Sequence, residues 1–231
     1  MRSNKIDVLI VILIFILISF GVGINYYKQY SVDKSKLPEK VEESRGFQRW
    51  ITNLKNKDLD FINADDFKLI EENEIYNTKW IKVYSTDDTQ AMSDLEQTLN
   101  LLKDVKKVAF SPSERAIVDY RNIKRDGYTP FEVHFYGIRD DKIINARILD
   151  CRTDINCYFD RAYFLNNNDV FVISEFSRNI KENETIFTPC LIDNECTYTI
   201  KVHVIDLINN KRLVYESKPF NIILSQVIPE L

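Results

Sequence analysis

Few residues in this chain are of a type and spacing that could do chemistry. Four cysteines, Cys151, Cys157, Cys190 and Cys196, form two pairs with five residues between partners. Five exceeds the usual two-to-four spacing of a zinc site. Neither pair is CxxC, which argues against a thiol–disulfide oxidoreductase. The even count and the neighbouring positions point to disulfides, ahead of a zinc site or free thiols. Four cysteines allow three connectivities; local pairing, Cys151 with Cys157 and Cys190 with Cys196, would clip two short loops.

General bases are scarce. The chain has two histidines, His134 and His203. Asp119, His134 and Asp150 could meet if their strands were neighbours, but spacing alone gives no reason for it. No serine lies in a GxSxG context, and HExxH and GxxxxGK[ST] are absent. Glu71, Glu72 and Glu74 read as solvated carboxylates on a turn, not a cation site. No catalytic, cofactor-binding or metal-binding residue is therefore assigned, no cofactor is expected, and the chain reads as a non-enzyme. A net charge of −4 with both signs interleaved excludes a nucleic-acid-binding stripe and describes a solvated globular surface.

The element that decides where such residues reside is the run 8–24, VLIVILIFILISFGVGI. Seventeen residues at 1.5 Å each span roughly 26 Å, near the lower limit for crossing a bilayer as a helix. Tyr26, Tyr27 and Tyr30, with Lys28 among them, suit the headgroup zone. An uncleaved signal anchor is expected, ahead of a cleaved signal, since the small residues of a cleavage site lie inside the apolar run. The short charged start, residues 1–7, is expected in the cytoplasm and the rest beyond the membrane.

After the anchor, residues 25–45 form a polar stalk and 46–105 a small α+β region. Phe47, Trp50, Ile51 and Leu54 share one helical face, giving a helix over about 39–56 with Trp50 as a packing residue. Strands are expected around 68–72 and 79–84. A second helix over 89–103 has Asp87 or Asp88 as N-cap and an apolar stripe of Met92, Leu95, Leu99 and Leu102.

Residues 106–231 read as a β-rich repeat module. Residues 108–118 (VAFSPSERAIV) align with 162–172 (AYFLNNNDVFV), each an apolar strand end, a polar turn and a second apolar strand. Further on, residues 132–135 and 140–142 are spaced as are 201–204 and 209–211. Each unit is then a four-stranded meander, about 106–150 and 160–218. With only five glycines in the chain, turns must use Asn and Asp, as at Asp140, Asp141, Asn209 and Asn210. Alternation sets His134 opposite Val133 and Phe135, and His203 opposite Val202 and Val204, each on an outer, half-solvated face. A sequon at Asn183 lies on a polar turn.

The two units resemble blades of TolB-like or WD40-like β-propellers. The turn from Phe110 to Arg115 (FSPSER) is similar to the Phe-Ser-Pro-Asp-Gly turn of those blades, with the glycine absent here. Residues 202–211 (VHVIDLINNK) are similar to their outer hairpin. The resemblance covers about half the chain, and two units cannot close a propeller. With the meanders it implies a mainly β fold, a β-sandwich or partial propeller of two four-stranded meanders; the earlier residues add a small α/β part and one N-terminal transmembrane helix. The function expected is that of an extracytoplasmic, single-pass binding or structural module. Its partners would be the membrane, through the N-terminal helix, and a protein or a second copy of itself. A ligand-binding sensor domain is the alternative, and a membrane-anchored hydrolase the more distant one.

Overall fold

The computed structural model describes residues 45–56, 59–75, 80–121, 131–151, 157–165, 168–180 and 190–228, together with Leu13, Ile14, Leu17, Ser19 and Phe20. These last five are helical, and all are exposed. They belong to one compact unit, Met1–Lys36, and everything from Leu37 onward to a second. Among the described residues no helix is long and apolar enough to cross a membrane. The rest of the expected anchor, the stalk and the Asn183 sequon lie outside the described residues.

The second unit is built from two antiparallel sheets. In chain order its elements are α1 (Arg45–Lys55), a 3-10 turn (Ala64–Asp66), β1 (Lys68–Glu74), β2 (Ile81–Ser85), α2 (Thr89–Leu102), β3 (Val108–Phe110), β4 (Ala116–Asp119), β5 (Glu132–Arg139), β6 (Lys142–Asp150), β7 (Cys157–Phe164), β8 (Val170–Arg178), β9 (Glu195–Asp206), β10 (Lys211–Glu216), β11 (Phe220–Ile223) and α3 (Leu224–Val227). Strands β3 to β6 are the first meander and β7 to β10 the second, matching the expected repeat. The first meander gains β2 on the open edge of β6, giving the order β2-β6-β5-β4-β3. The second gains β1 on the open edge of β10, giving β1-β10-β9-β8-β7, while β11 pairs with the first residues of β9.

The two sheets pack face to face, and equivalent faces do not meet. Ala116 and Val118 of β4, Val133 and Phe135 of β5, and Ile144 and Ala146 of β6 share a core with Phe171 and Ile173 of β8 and Ile205 of β9. Phe135 stacks on Phe171 with ring centroids 6.5 Å apart. The repeat partners of Val118, Val133 and Phe135 are Val172, Val202 and Val204. These lie on the opposite face of their sheet, in a second core closed by Phe47, Trp50, Ile51 and Leu54 of α1 and by Leu224 and Val227 of α3. The units therefore stack head to tail. Helix α2 covers the remaining face of the first sheet, with Leu95 and Ala91 against Ile143. Its N-cap is Asp88, whose carboxylate accepts from the Gln90 and Ala91 amides at 3.1 Å.

The turns follow the sequence. Asp140 (φ 50°) and Asn210 (φ 53°) take the left-handed conformation that the Asp and Asn turns require. Glu114, at the position where the blade turn has glycine, is also left-handed, at φ 56°. Ser111 secures that turn by accepting from the Ala116 amide. Gly137 is needed for a different reason: a Cβ there would lie 2.2 Å from that of Ala116 on the paired strand.

Two expectations need correction. Glu71, Glu72 and Glu74 lie on strand β1, not a turn. Glu72 pairs with Lys211 and Glu71 with Arg212 on the neighbouring strand. His203 is buried, not half-solvated, because head-to-tail stacking covers its face while leaving the equivalent face of the first sheet only partly covered.

Candidate functional site

Three constellations could carry function. The first is polar and lies on the outer face of the first sheet. Asp119, His134 and Arg147 are register partners across β4, β5 and β6. His134 Nε2–H donates to Glu132 at 2.9 Å, Arg147 donates to the other Glu132 oxygen at 2.8 Å, and Arg147 also reaches Asp150 at 3.2 Å. The Arg147 guanidinium sits 4.0 Å over the Trp80 ring. Arg121 grips Asp119 through two hydrogen bonds of 2.9 Å, which holds its guanidinium above the ordinary arginine value. So the structure does bring Asp119, His134 and Asp150 to one sheet face. Their identified partners are charges, and none of those bonds places a hydroxyl or thiol nucleophile beside His134. The arrangement is an ion-pair network that covers β-sheet surface.

The second is the buried pair His203 and Glu175, 2.7 Å apart between β9 and β8. Both residues are at most 5% exposed. Burial would raise the Glu175 carboxyl, but the His203 hydrogen bond and the charges of His203, Lys201 and Arg212 outweigh it and hold the carboxyl below its ordinary range. No cavity among those described opens onto this pair, so it reads as a structural lock in the sheet.

The third is a cleft where the free edges of β3 and β7 approach beneath α1. One part, about 480 Å³, is lined by Gln48, Arg49, Thr52 and Asn53 of α1 with Arg161 and Tyr163 of β7. The adjoining part, about 440 Å³, shares Arg49, Arg161 and Tyr163 and adds Tyr120, Phe110 and Pro112 among its walls. Local structure explains each position. The apolar residues of α1 face the sheet, which turns Arg49, Thr52 and Asn53 outward. A bulge in β7 between Phe159 and Ala162 presents Arg161 at the edge strand. Asn53 donates to the Tyr163 hydroxyl, and Arg161 hydrogen-bonds to Tyr163. Burial weighs against the Arg161 charge, yet that bond and nearby Asp160 hold the guanidinium above its ordinary value. Burial pushes the Tyr120 phenol up to about 12, although a hydrogen bond from the Ala162 backbone acts the other way.

The cysteines occupy structural positions. Cys151, just past β6, is joined to Cys157, the first residue of β7, so this disulfide closes the crossover between the sheets. Cys190 is joined to Cys196 in β9, holding the turn before that strand beside α3. Their Cα atoms are 5.6 and 6.5 Å apart, within the normal range. Among the described residues no group of His, Cys, Asp and Glu could hold a metal ion.

Sequence reasoning found the cysteines and the histidines but missed the cleft. Arg49 and Arg161 are distant in sequence and read singly as surface charges. Comparison with known proteins gives no match: no family model, no curated protein and no solved structure matches this chain.

Proposed function

We propose that the protein is a membrane-anchored, extracytoplasmic binding module without catalytic activity, and that its ligand enters the cleft between β3, β7 and α1. The observation that carries this reading is the cleft itself. Its volume suits a small molecule or a side-chain-sized group. Its polar groups converge, and Tyr163 is held from two sides by Asn53 and Arg161. Support for anchoring comes from the apolar run 8–24, whose described residues Leu13, Ile14, Leu17 and Phe20 are helical and half or more exposed. Large apolar side chains facing outward on a helix are what a bilayer-spanning segment presents to lipid. Support for export comes from the two disulfides, which persist in oxidising compartments. The head-to-tail stacking of the two meanders supports kinship with propeller blades, with helices where further blades would stack.

Protein-observed NMR on the full chain in uncharged detergent tests the cleft. A set of neutral and charged aromatic fragments is added, and shifts should cluster at Arg49, Tyr120, Arg161 and Tyr163. Shifts that are absent for every fragment, or scattered elsewhere, would sink the reading.

A second reading, contact with a protein partner or a second copy, rests on strand β2. It is a sheet edge whose Val83 and Tyr84 are exposed, beside exposed Trp80, with Lys82 its one charge. Edge strand β1, by contrast, carries three glutamates and a register shift, features that discourage pairing. Light scattering on wild type and Val83→Lys tests it: an oligomer that the substitution disperses supports it, and a monomeric wild type counts against it.

A further inference from the structure

We infer that the cleft recognises an oxyanion, a carboxylate or a phosphate, carried on an aromatic or apolar body. The inference rests on the cleft being a binding site and adds the chemistry of what binds. Three observations lead to it.

The first is charge. The chain is acidic overall, at −4, yet both parts of the cleft are lined by Arg49 and Arg161, and none of their described lining residues is acidic. Neither arginine has an ion pair with a carboxylate among the described residues. Four other arginines of the unit are paired: Arg121 with Asp119, Arg147 with Glu132 and Asp150, Arg212 with Glu71, and Arg139 with Asp169. Asp160 adds to the field at Arg161 but is itself buried and does not line the cleft.

The second is preorganisation. Arg161 is half-buried beside Tyr163, and Tyr163 is held by Asn53. A half-buried guanidinium has less freedom to lose when it takes a planar, two-oxygen anion. Arg49 projects from one turn of α1 before Asn53, on the same exposed stripe, so the two cations approach the cleft from different elements.

The third is the remainder of the wall. Tyr120 stays protonated well above neutral pH, and its oxygen already accepts from the Ala162 backbone. Phe110, Pro112, Phe164 and Leu165 supply an apolar surface beside these polar groups. Cationic and hydroxyl groups lining the same cleft as apolar residues match a ligand with one charged group and a hydrophobic body.

Isothermal titration calorimetry on the full chain in an uncharged detergent tests this with benzoate, phenyl phosphate and the neutral isostere benzamide. Wild type should bind at least one of the anions tenfold or more tightly than benzamide, and which anion wins separates a carboxylate site from a phosphate site. Arg161→Gln should abolish the advantage. Arg49→Gln, on an exposed helix face where folding is not at stake, should cut it severalfold. Benzamide binding as tightly as both anions, or an anion advantage that survives both substitutions, would overturn the inference while leaving the cleft a binding site. No binding of any of the three would overturn both.

Discussion

Replacing His203 by leucine isolates the energetic role of the buried pair. Glu175 would then lie 5% exposed, with its 2.7 Å hydrogen bond gone. Lys201 is 3.9 Å away and cannot replace that bond. Removing the hydrogen-bond partner of a buried carboxylate costs about 3 kcal/mol or more, since the remaining charge keeps its desolvation cost. Replacing both partners with apolar residues of similar volume is close to neutral. His203→Leu should therefore lower stability by about 3 kcal/mol, and Glu175→Leu/His203→Leu should recover most of it. At about 2–4 °C per kcal/mol for a chain of this size, the single variant should melt about 6–12 °C early. The assay is urea unfolding followed by the fluorescence of Trp50 and Trp80, with the slope checked for constancy across variants. The pH dependence has a fixed sign. A carboxyl depressed below its ordinary 4.5 contributes stability that is present above that value and lost as pH falls through the folded value. The acid limb should therefore be shallower in the double variant than in wild type. A single variant as stable as wild type, or a double variant no better than the single, would refute the reasoning.

Four further outcomes are expected. Gly137→Ala should cost 3 kcal/mol or so, because the added methyl would meet Ala116 at 2.2 Å and part β4 from β5; thermal melts would show it. Glu114→Gly should raise stability by up to about 1 kcal/mol, seen as a higher denaturation midpoint, by relieving the positive φ, with little lost from the exposed Lys103 ion pair. Cys151→Ser/Cys157→Ser should lower stability by about 2 kcal/mol, the entropy of a short closed loop, read by the same unfolding curve. Leu95→Ala should cost about 2–5 kcal/mol and loosen α2, with hydrogen exchange rising in α2 before either sheet.

The meanders were legible because their information is local. Alternation marks strands, and the Asn and Asp turns between them show in the sequence as they do in the fold. Alternation also placed His134 and His203 on the right faces, but it cannot say what covers a face. His203 is buried only because the preceding unit stacks on its side of the sheet, a relation between units that strand periodicity does not encode. The fates of β1 and β2 were hidden for a similar reason. Adjacent in the chain, they join different sheets, and nothing in their short apolar patterns names the edge each completes. The cleft was least legible. Arg49 faces it because Phe47, Trp50, Ile51 and Leu54 turn the other way, and Arg161 faces it because β7 bulges. Only the meeting of a helix and an edge strand makes the two arginines one site.

The claim that most needs testing is that this disulfide-framed module stands beyond the membrane. Mass-tag thiol labelling of the full chain, extracted from its native membrane and denatured with and without reductant, tests it directly. The account predicts no labelling until reductant is added, then labelling of Cys151, Cys157, Cys190 and Cys196 together. Labelling of all four without reductant would contradict both the disulfide framework and the export on which the proposed function rests.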